Sequence, residues 1–218
     1  MTHWLQVFIG ALIALFPIVN PFGAIPLFLT VTGNLSEGQR RSQLLKACFY
    51  AFGILASFVI AGNLILAFFG ISIAGIRIAG GFILGHIAWG MLHAHPKYEP
   101  SPEERSDAVR KGDVSFTPLA MPTLSGPGSI AVALGLTPTA DAWYDYAALL
   151  LAIVVICLSS WLVLRASLPI SKFLGVTGMN ALTRMMGFIL MCVGVQFIVN
   201  GMLSIIASQI IPLLPVPN

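Results

Sequence analysis

Charge is the scarcest property of this sequence. Only 9% of its 218 residues are Asp, Glu, Lys or Arg, against about 25% in soluble domains. The first 36 residues contain none of the four, and further charge-free runs cover 47–76, 114–140, 146–164 and 185–218. That excludes a soluble globular chain, because each run supplies the roughly 20 apolar residues that cross a bilayer core. Paired cysteines are also missing. Cys48, Cys157 and Cys192 all fall in apolar runs and form no C-x-x-C, which argues for packing thiols over redox or metal work. The net charge of +3 comes from few charges and gives no reason to expect a nucleic-acid partner. No cofactor motif is present, so no cofactor is expected.

What the chain has instead is apolar residues, 57% of the total, in unbroken blocks. Such blocks fit helices and not the alternating strands of an outer-membrane barrel. The opening "MTHWLQVFIG" has no basic region or small-residue cleavage site and reads as a first span, not a cleaved signal. Six helices are predicted, near 4–30, 44–69, 72–93, 115–137, 146–166 and 182–210. Nine basic residues (Arg40, Arg41, Lys46, Lys97, Arg105, Arg110, Lys111, Arg165 and Lys172) fall at the first, third and fifth loops, whereas the second and fourth loops and both termini offer only Arg77. That asymmetry assigns the odd loops to the cytoplasm and both termini to the outer side. Arg184 then begins the last helix on the cytoplasmic side. Residues 95–113, "HPKYEPSPEERSDAVRKGD", read as a charged flexible linker.

The chain also resembles itself. "GGFILG" at 80–85 matches "MGFILM" at 186–191, Pro21 and Pro127 are separated by the same 106 residues, and "FFGIS" at 68–72 resembles "FLGVT" at 173–177. The expected organisation is a three-helix repeat over 1–94, a linker over 95–114 and a second three-helix repeat over 115–218. Three is odd, so the second repeat starts on the opposite side of the membrane, an inverted pair of the kind many secondary transporters use.

Both repeats are interrupted in their first helix. "FPIVNPFGAIP" (16–26) and "TPLAMPTLSGPGS" (117–129) place prolines and glycines at mid-span. Proline removes a donor and clashes with the preceding turn, and glycine weakens the helix. Backbone groups freed there must face protein or a watery cavity, where half-helix N-termini suit an anionic group and freed carbonyls suit an ammonium. Candidate substrate-binding residues are Asn20, Pro21, Gly23, Ser125, Gly126, Pro127 and Gly128, with Pro17, Pro122 and Thr123 beside them. Gly10, Gly23, Gly126 and Gly128 leave little bulk there, which suits a small ligand.

Four longer stretches, "NPFGAIPLF" (20–28), "GISIAGIRIAGG" (70–81), "FTPLAMPTLSGPGSIA" (116–131) and "NALTRMMGFILMCVGVQFIVNGM" (180–202), resemble the MarC family. The resemblance extends over essentially the whole chain. It implies a multi-pass protein of the bacterial inner membrane, related to SnatA-type neutral amino acid transporters within the LysE superfamily. It further implies six helices in two inverted three-helix repeats, helices 1 and 4 discontinuous, with glycine or alanine held at the breaks.

Outside the breaks, His86 is the mid-span histidine of helix 3. Gln196 and Asn200 share a face of helix 6 one turn apart, and Arg77 and Arg184 each start the third helix of a repeat. All five are candidates for cavity lining or gating, against a plainer reading as packing, interhelical bonding or snorkelling. The H-x-H of His93 and His95 is a weak metal signal. The eight acidic residues, Glu37, Glu99, Glu103, Glu104, Asp107, Asp113, Asp141 and Asp145, all fall outside the predicted spans, which disfavours metal export and coupling through a buried carboxylate. The expected activity is secondary transport of a small zwitterionic solute. The alternative is efflux of larger amphipathic compounds. A membrane enzyme is not expected, since no paired cysteines, intramembrane carboxylates or Ser-His-Asp set are evident. Partners beyond solute and lipid are limited to further copies of the chain, as dimers or trimers.

Overall fold

The computed structural model describes residues 3–93, 101, 113–140 and 142–210, with the side chains of 209 and 210 excepted. Among them there is no strand. The predicted linker and His95 lie outside the described residues, Ser101, Asp113 and Val114 apart.

The elements are α1 (His3–Val19), α2 (Ile25–Val31), α3 (Glu37–Ile60), α4 (Gly62–Phe69), α5 (Ile73–Leu92), α6 (Ser115–Leu124, irregular), α7 (Pro127–Leu136), α8 (Trp143–Arg165) and α9 (Ser167–Ile205). Four of them, α3, α5, α8 and α9, are long and apolar enough to cross a membrane. The pair α6 and α7, bent by 57°, qualifies together as a fifth. α1 is apolar but only 17 residues long, and α2 continues it after the interruption at 20–24.

Several boundaries differ from those read in the sequence. Helix 2 starts at Glu37, seven residues before 44. Ser36 caps it, its hydroxyl accepting from Gln39 N–H while the Gln39 side chain accepts from Ser36 N–H. That reciprocal pair satisfies two orphan donors, and the charged turns that follow are tolerated at a helix start outside the bilayer. The same helix pauses at Ala61 before α4. The fifth loop, expected at 167–181, is helical. α9 runs from Ser167 with one break at Gly175 (φ 61°, ψ −176°), so Arg184 sits inside α9 and does not begin it. Asp145 is a further correction. It lies in the first turn of α8, fully buried. There its carboxylate accepts the Ala142 N–H at 3.1 Å and meets His3 Nδ1 at 3.1 Å. A carboxylate in the first turn also faces the positive end of the helix dipole.

α3 and α8 start 106 residues apart, at Glu37 and Trp143. Gly70 and Gly175, 105 apart, are the two glycines with positive φ among the described residues, at 63° and 61°. Each ends one helical stretch and lets the next begin in a new direction, a conformation costly to a residue with a Cβ.

Packing interleaves the halves. α1 lies chiefly along α8, α3 lies along α8 and α6, and α5 lies along α9 and α7. The α5–α9 seam is built on small residues. Gly187, Gly194 and Gly201 recur every seven positions on α9, and a Cβ on Gly194 would stand 2.9 Å from Gly81 O and one on Gly201 2.9 Å from Ala74 O. Backbone-to-backbone approach of this kind supplies the van der Waals contact that holds helices together in lipid, where tails are as apolar as leucine. The buried core, including Leu15, Ile18, Phe28, Leu55, Leu84, Leu119, Leu149 and Ile153, fills the space among α1, α2, α3, α5, α6 and α8.

Candidate functional site

At the first break the chain leaves α1 at Asn20, the one described non-glycine residue with positive φ (44°). Asparagine tolerates this region because its short amide bonds to nearby backbone. Here Asn20 Oδ1 accepts the Gly23 N–H at 3.1 Å, and Nδ2 lies 3.8 Å from Met91 Sδ. The side chain is 1% exposed. A Cβ on Gly23 would fall 2.6 Å from Asn20 Nδ2, so the turn needs glycine for space. Pro21 is buried, and Pro17 sits half-buried in the last turn of α1. The first break is therefore closed by its own asparagine.

The second break is longer. Thr117 and Met121 are extended (φ −116°, ψ 126° and φ −120°, ψ 128°), as residues preceding proline are driven to be. The Thr117–Pro118 and Met121–Pro122 peptide bonds are cis. Three hydroxyls then bond carbonyls five residues back: Thr123 to Pro118 O (2.6 Å), Ser125 to Ala120 O (2.9 Å) and Ser129 to Leu124 O (3.3 Å). All three residues are at most 1% exposed. These hydroxyls supply donors to carbonyls that the broken helix leaves free. Gly126 is extended (φ −74°, ψ 176°) and caps α7, with Pro127 in its first turn. Proline there gives up only a donor that a first turn could not have used.

A cavity of about 300 Å³ opens at this break, lined by Pro122, Gly126, Pro127, Gly128 and Ser129 of the break, Ile18 of α1, Ile83 and Ile87 of α5, and Leu190 of α9. Its walls are apolar, and its polar end is the start of α7. The Gly128 and Ser129 N–H groups are there, in the first turn, where no intrahelical acceptor exists. Of the expected binding residues, Gly126, Pro127 and Gly128 line the cavity, with Pro122. Ser125 and Thr123 are buried behind it, supporting the backbone. Asn20, Pro21 and Gly23 do not line it.

The outlying candidates sit elsewhere. His86 is exposed on α5 and does not reach the cavity. Gln196 Nε2 donates to Asn200 Oδ1 at 2.8 Å, and both are exposed on α9. Arg77 Nη1 donates to Ser204 Oγ at 3.1 Å, tying α5 to the far end of α9. Arg184 is exposed. Sequence reasoning missed Ser129, although it lies one turn beyond Ser125. It also missed Ile18, Ile83, Ile87 and Leu190, whose apolar side chains carry no local signal of a cavity.

The model of the MarC family of integral membrane proteins matches residues 5–206. The chain belongs to the MarC family. It is 39% identical to the inner membrane protein MarC of Citrobacter koseri and 40% identical to that of Escherichia coli, each over 90% of this chain and 94% of the relative. Identity to the corresponding Salmonella paratyphi B protein is 38% over the same shares. No solved structure matches. Membership and the apolar helices together make this a multi-pass inner membrane protein.

Proposed function

We propose that the chain is a secondary transporter of small, neutral, zwitterionic solutes such as glycine or alanine. The observation that carries this reading is the cavity at the second break, where a helix N-terminus opens into an apolar space. The α7 N-terminus offers N–H donors and the positive end of a dipole to a carboxylate. The Ser129 hydroxyl oxygen, whose hydrogen is donated to Leu124 O, keeps lone pairs for an ammonium group. A volume of about 300 Å³ lies at the low end for ligand pockets and suits a small solute. The larger apolar groove between α3 and α8, about 790 Å³, does not touch either break, so it gives little support to efflux of amphipathic compounds through the same site.

In this reading α1 and α2 together form the sixth span and the two halves are inverted repeats, with both termini outside. The recurrence of helix starts and positive-φ glycines at 105–106 residues supports the repeat. His3 beside Asp145 puts the N-terminal ends of α1 and α8 on one side, and Arg40 within 3.4 Å of Ser167 puts the starts of α3 and α9 together, as six alternating spans require. Because the cavity has α5 and α9 on one wall and α1 and the α6–α7 break on the other, the moving boundary for alternating access is the α5–α9 pair against the remaining bundle.

The test is counterflow of labelled alanine and glycine into proteoliposomes loaded with the unlabelled solute, wild type against Gly128→Leu, which fills the cavity. Uptake by the wild type that the variant loses supports the reading. Folded wild-type protein that exchanges neither solute refutes the substrate assignment.

A further inference from the structure

The seam between α3 and α8 holds two cavities end to end, neither of them lined by residues 16–26 or 117–129 of the breaks. The first, about 220 Å³, is lined by Glu37, Arg40, Arg41 and Leu44 of α3, Leu164 and Arg165 of α8, Phe28 and Leu168. Three guanidinium groups face one carboxylate there. Arg40 is held in place, 5.4 Å over the Phe28 ring and 3.4 Å from Ser167 Oγ. Among the described residues none of the three arginines has a carboxylate within ion-pair distance. The second cavity is the open groove of about 790 Å³ lined by residues that include Leu45, Phe49 and Phe52 of α3 and Val154, Leu158 and Trp161 of α8.

The two are continuous along helical faces. Val154, Leu158, Trp161 and Arg165 fall on one face of α8 at spacings of four, three and four. Arg41, Leu45, Phe49 and Phe52 share a face of α3 at spacings of four, four and three. Arg165 stacks 4.9 Å over the Trp161 ring, which joins the basic end to the apolar groove. The Trp161 indole N–H is buried without a hydrogen-bond partner among the described residues. A buried donor without a partner is costly, and this one lies one helical turn before Arg165 on α8.

We infer that this seam is a binding site for an anionic phospholipid. The phosphate sits among Arg40, Arg41 and Arg165, an ester carbonyl accepts the Trp161 N–H, and one acyl chain lies in the groove. Guanidinium forks match phosphate geometry, and basic pockets between helix ends recognise lipid headgroups. A free phosphate would satisfy the arginines but would leave the indole and the groove unused. A second copy of the chain would cover the groove but would leave the net positive pocket uncompensated.

The experiment is native mass spectrometry of the purified full chain in detergent, titrated with dioleoyl phosphatidylglycerol, dioleoyl phosphatidylcholine or inorganic phosphate. The expected result is preferential phosphatidylglycerol adducts. Affinity should fall roughly 30-fold in R41Q/R165Q, from two near-surface arginines. It should also fall in Leu158→Trp, which narrows the groove without touching a charge. Equal binding of the two lipids, or full binding by both variants, overturns the site. Stabilisation by inorganic phosphate equal to that by phosphatidylglycerol reduces it to an anion pocket and overturns the lipid assignment. Dimers without lipid adducts, abolished by Leu158→Trp, overturn it in favour of an interface between copies.

Discussion

Alanine at Gly126 probes the second break through space alone. Gly126 has φ −74° and ψ 176°, a conformation any residue adopts, so no strain follows from the backbone. The obstacle is that a Cβ would stand 2.3 Å from the Pro122 carbonyl oxygen. Ordinary carbon–oxygen contact is about 3.3–3.6 Å, so the two backbone segments must separate by roughly 1 Å. Overpacking costs about 1–3 kcal/mol. The upper figure applies because the clash is with backbone and not with a flexible side-chain end. Gly90→Ala is the control: nothing lies within 4 Å of its Cβ position, and alanine in a helix interior gains about 1 kcal/mol over glycine. For a chain of this length, a loss of about 3 kcal/mol lowers the melting temperature by roughly 6–12 °C. Thermal melts in one detergent, followed by circular dichroism, should place Gly126→Ala well below wild type and Gly90→Ala at or above it. A Gly126→Ala protein that melts with the control refutes the close approach at the break, and with it the shape of the cavity.

Asn20→Ala should lose about 2–3 kcal/mol, combining a positive φ with the lost bond to Gly23 N–H, whereas Asn20→Gly loses only the bond; melts that rank alanine at or above glycine contradict the turn. Gly194→Ala should destabilise by about 1–3 kcal/mol through the Gly81 carbonyl 2.9 Å away, read as a lower melting temperature than that of Gly53→Ala, whose Cβ meets nothing within 4 Å. Asp113, just before α6, has its pKa held below the usual carboxylate value, first by the Ser115 hydroxyl, with Lys46 also contributing. A depressed folded pKa contributes stability that is present above the unfolded value and lost as pH falls through the folded one. Asp113→Asn should therefore melt below wild type at neutral pH, and the gap should close as the pH falls through and below the ordinary carboxylate range. A gap that stays constant with pH would show that the charge is not involved.

The breaks were legible because their causes are local. Proline denies a donor and biases the residue before it whatever surrounds it, so "NPFG" and "SGPG" announce interruption from within. The start of α3 also has a local cause, the S-x-x-Q of Ser36 and Gln39, which the reading from charge at 37–46 did not take into account. Gly175 gave no usable signal, because glycine is frequent inside membrane helices and only packing decides which one turns left-handed. Asn20 stood out as a polar residue at the break, and in the structure its amide oxygen accepts the Gly23 N–H. Its amide serves the turn, and no sequence pattern distinguishes a cap from a ligand. The cavity walls supplied by Ile83, Ile87 and Leu190 depend on which helices meet, information that apolar residues do not carry locally.

The interleaved packing of the two halves has a consequence for how the protein is made. α1 finds its main helical neighbour in α8, which begins about 120 residues after α1 ends. During synthesis the early spans enter the bilayer with their partner faces bare and must wait for the second half. The two halves, supplied as separate polypeptides, should each be degraded alone and be rescued together, and the membrane's insertion machinery has to shelter α1 through most of translation.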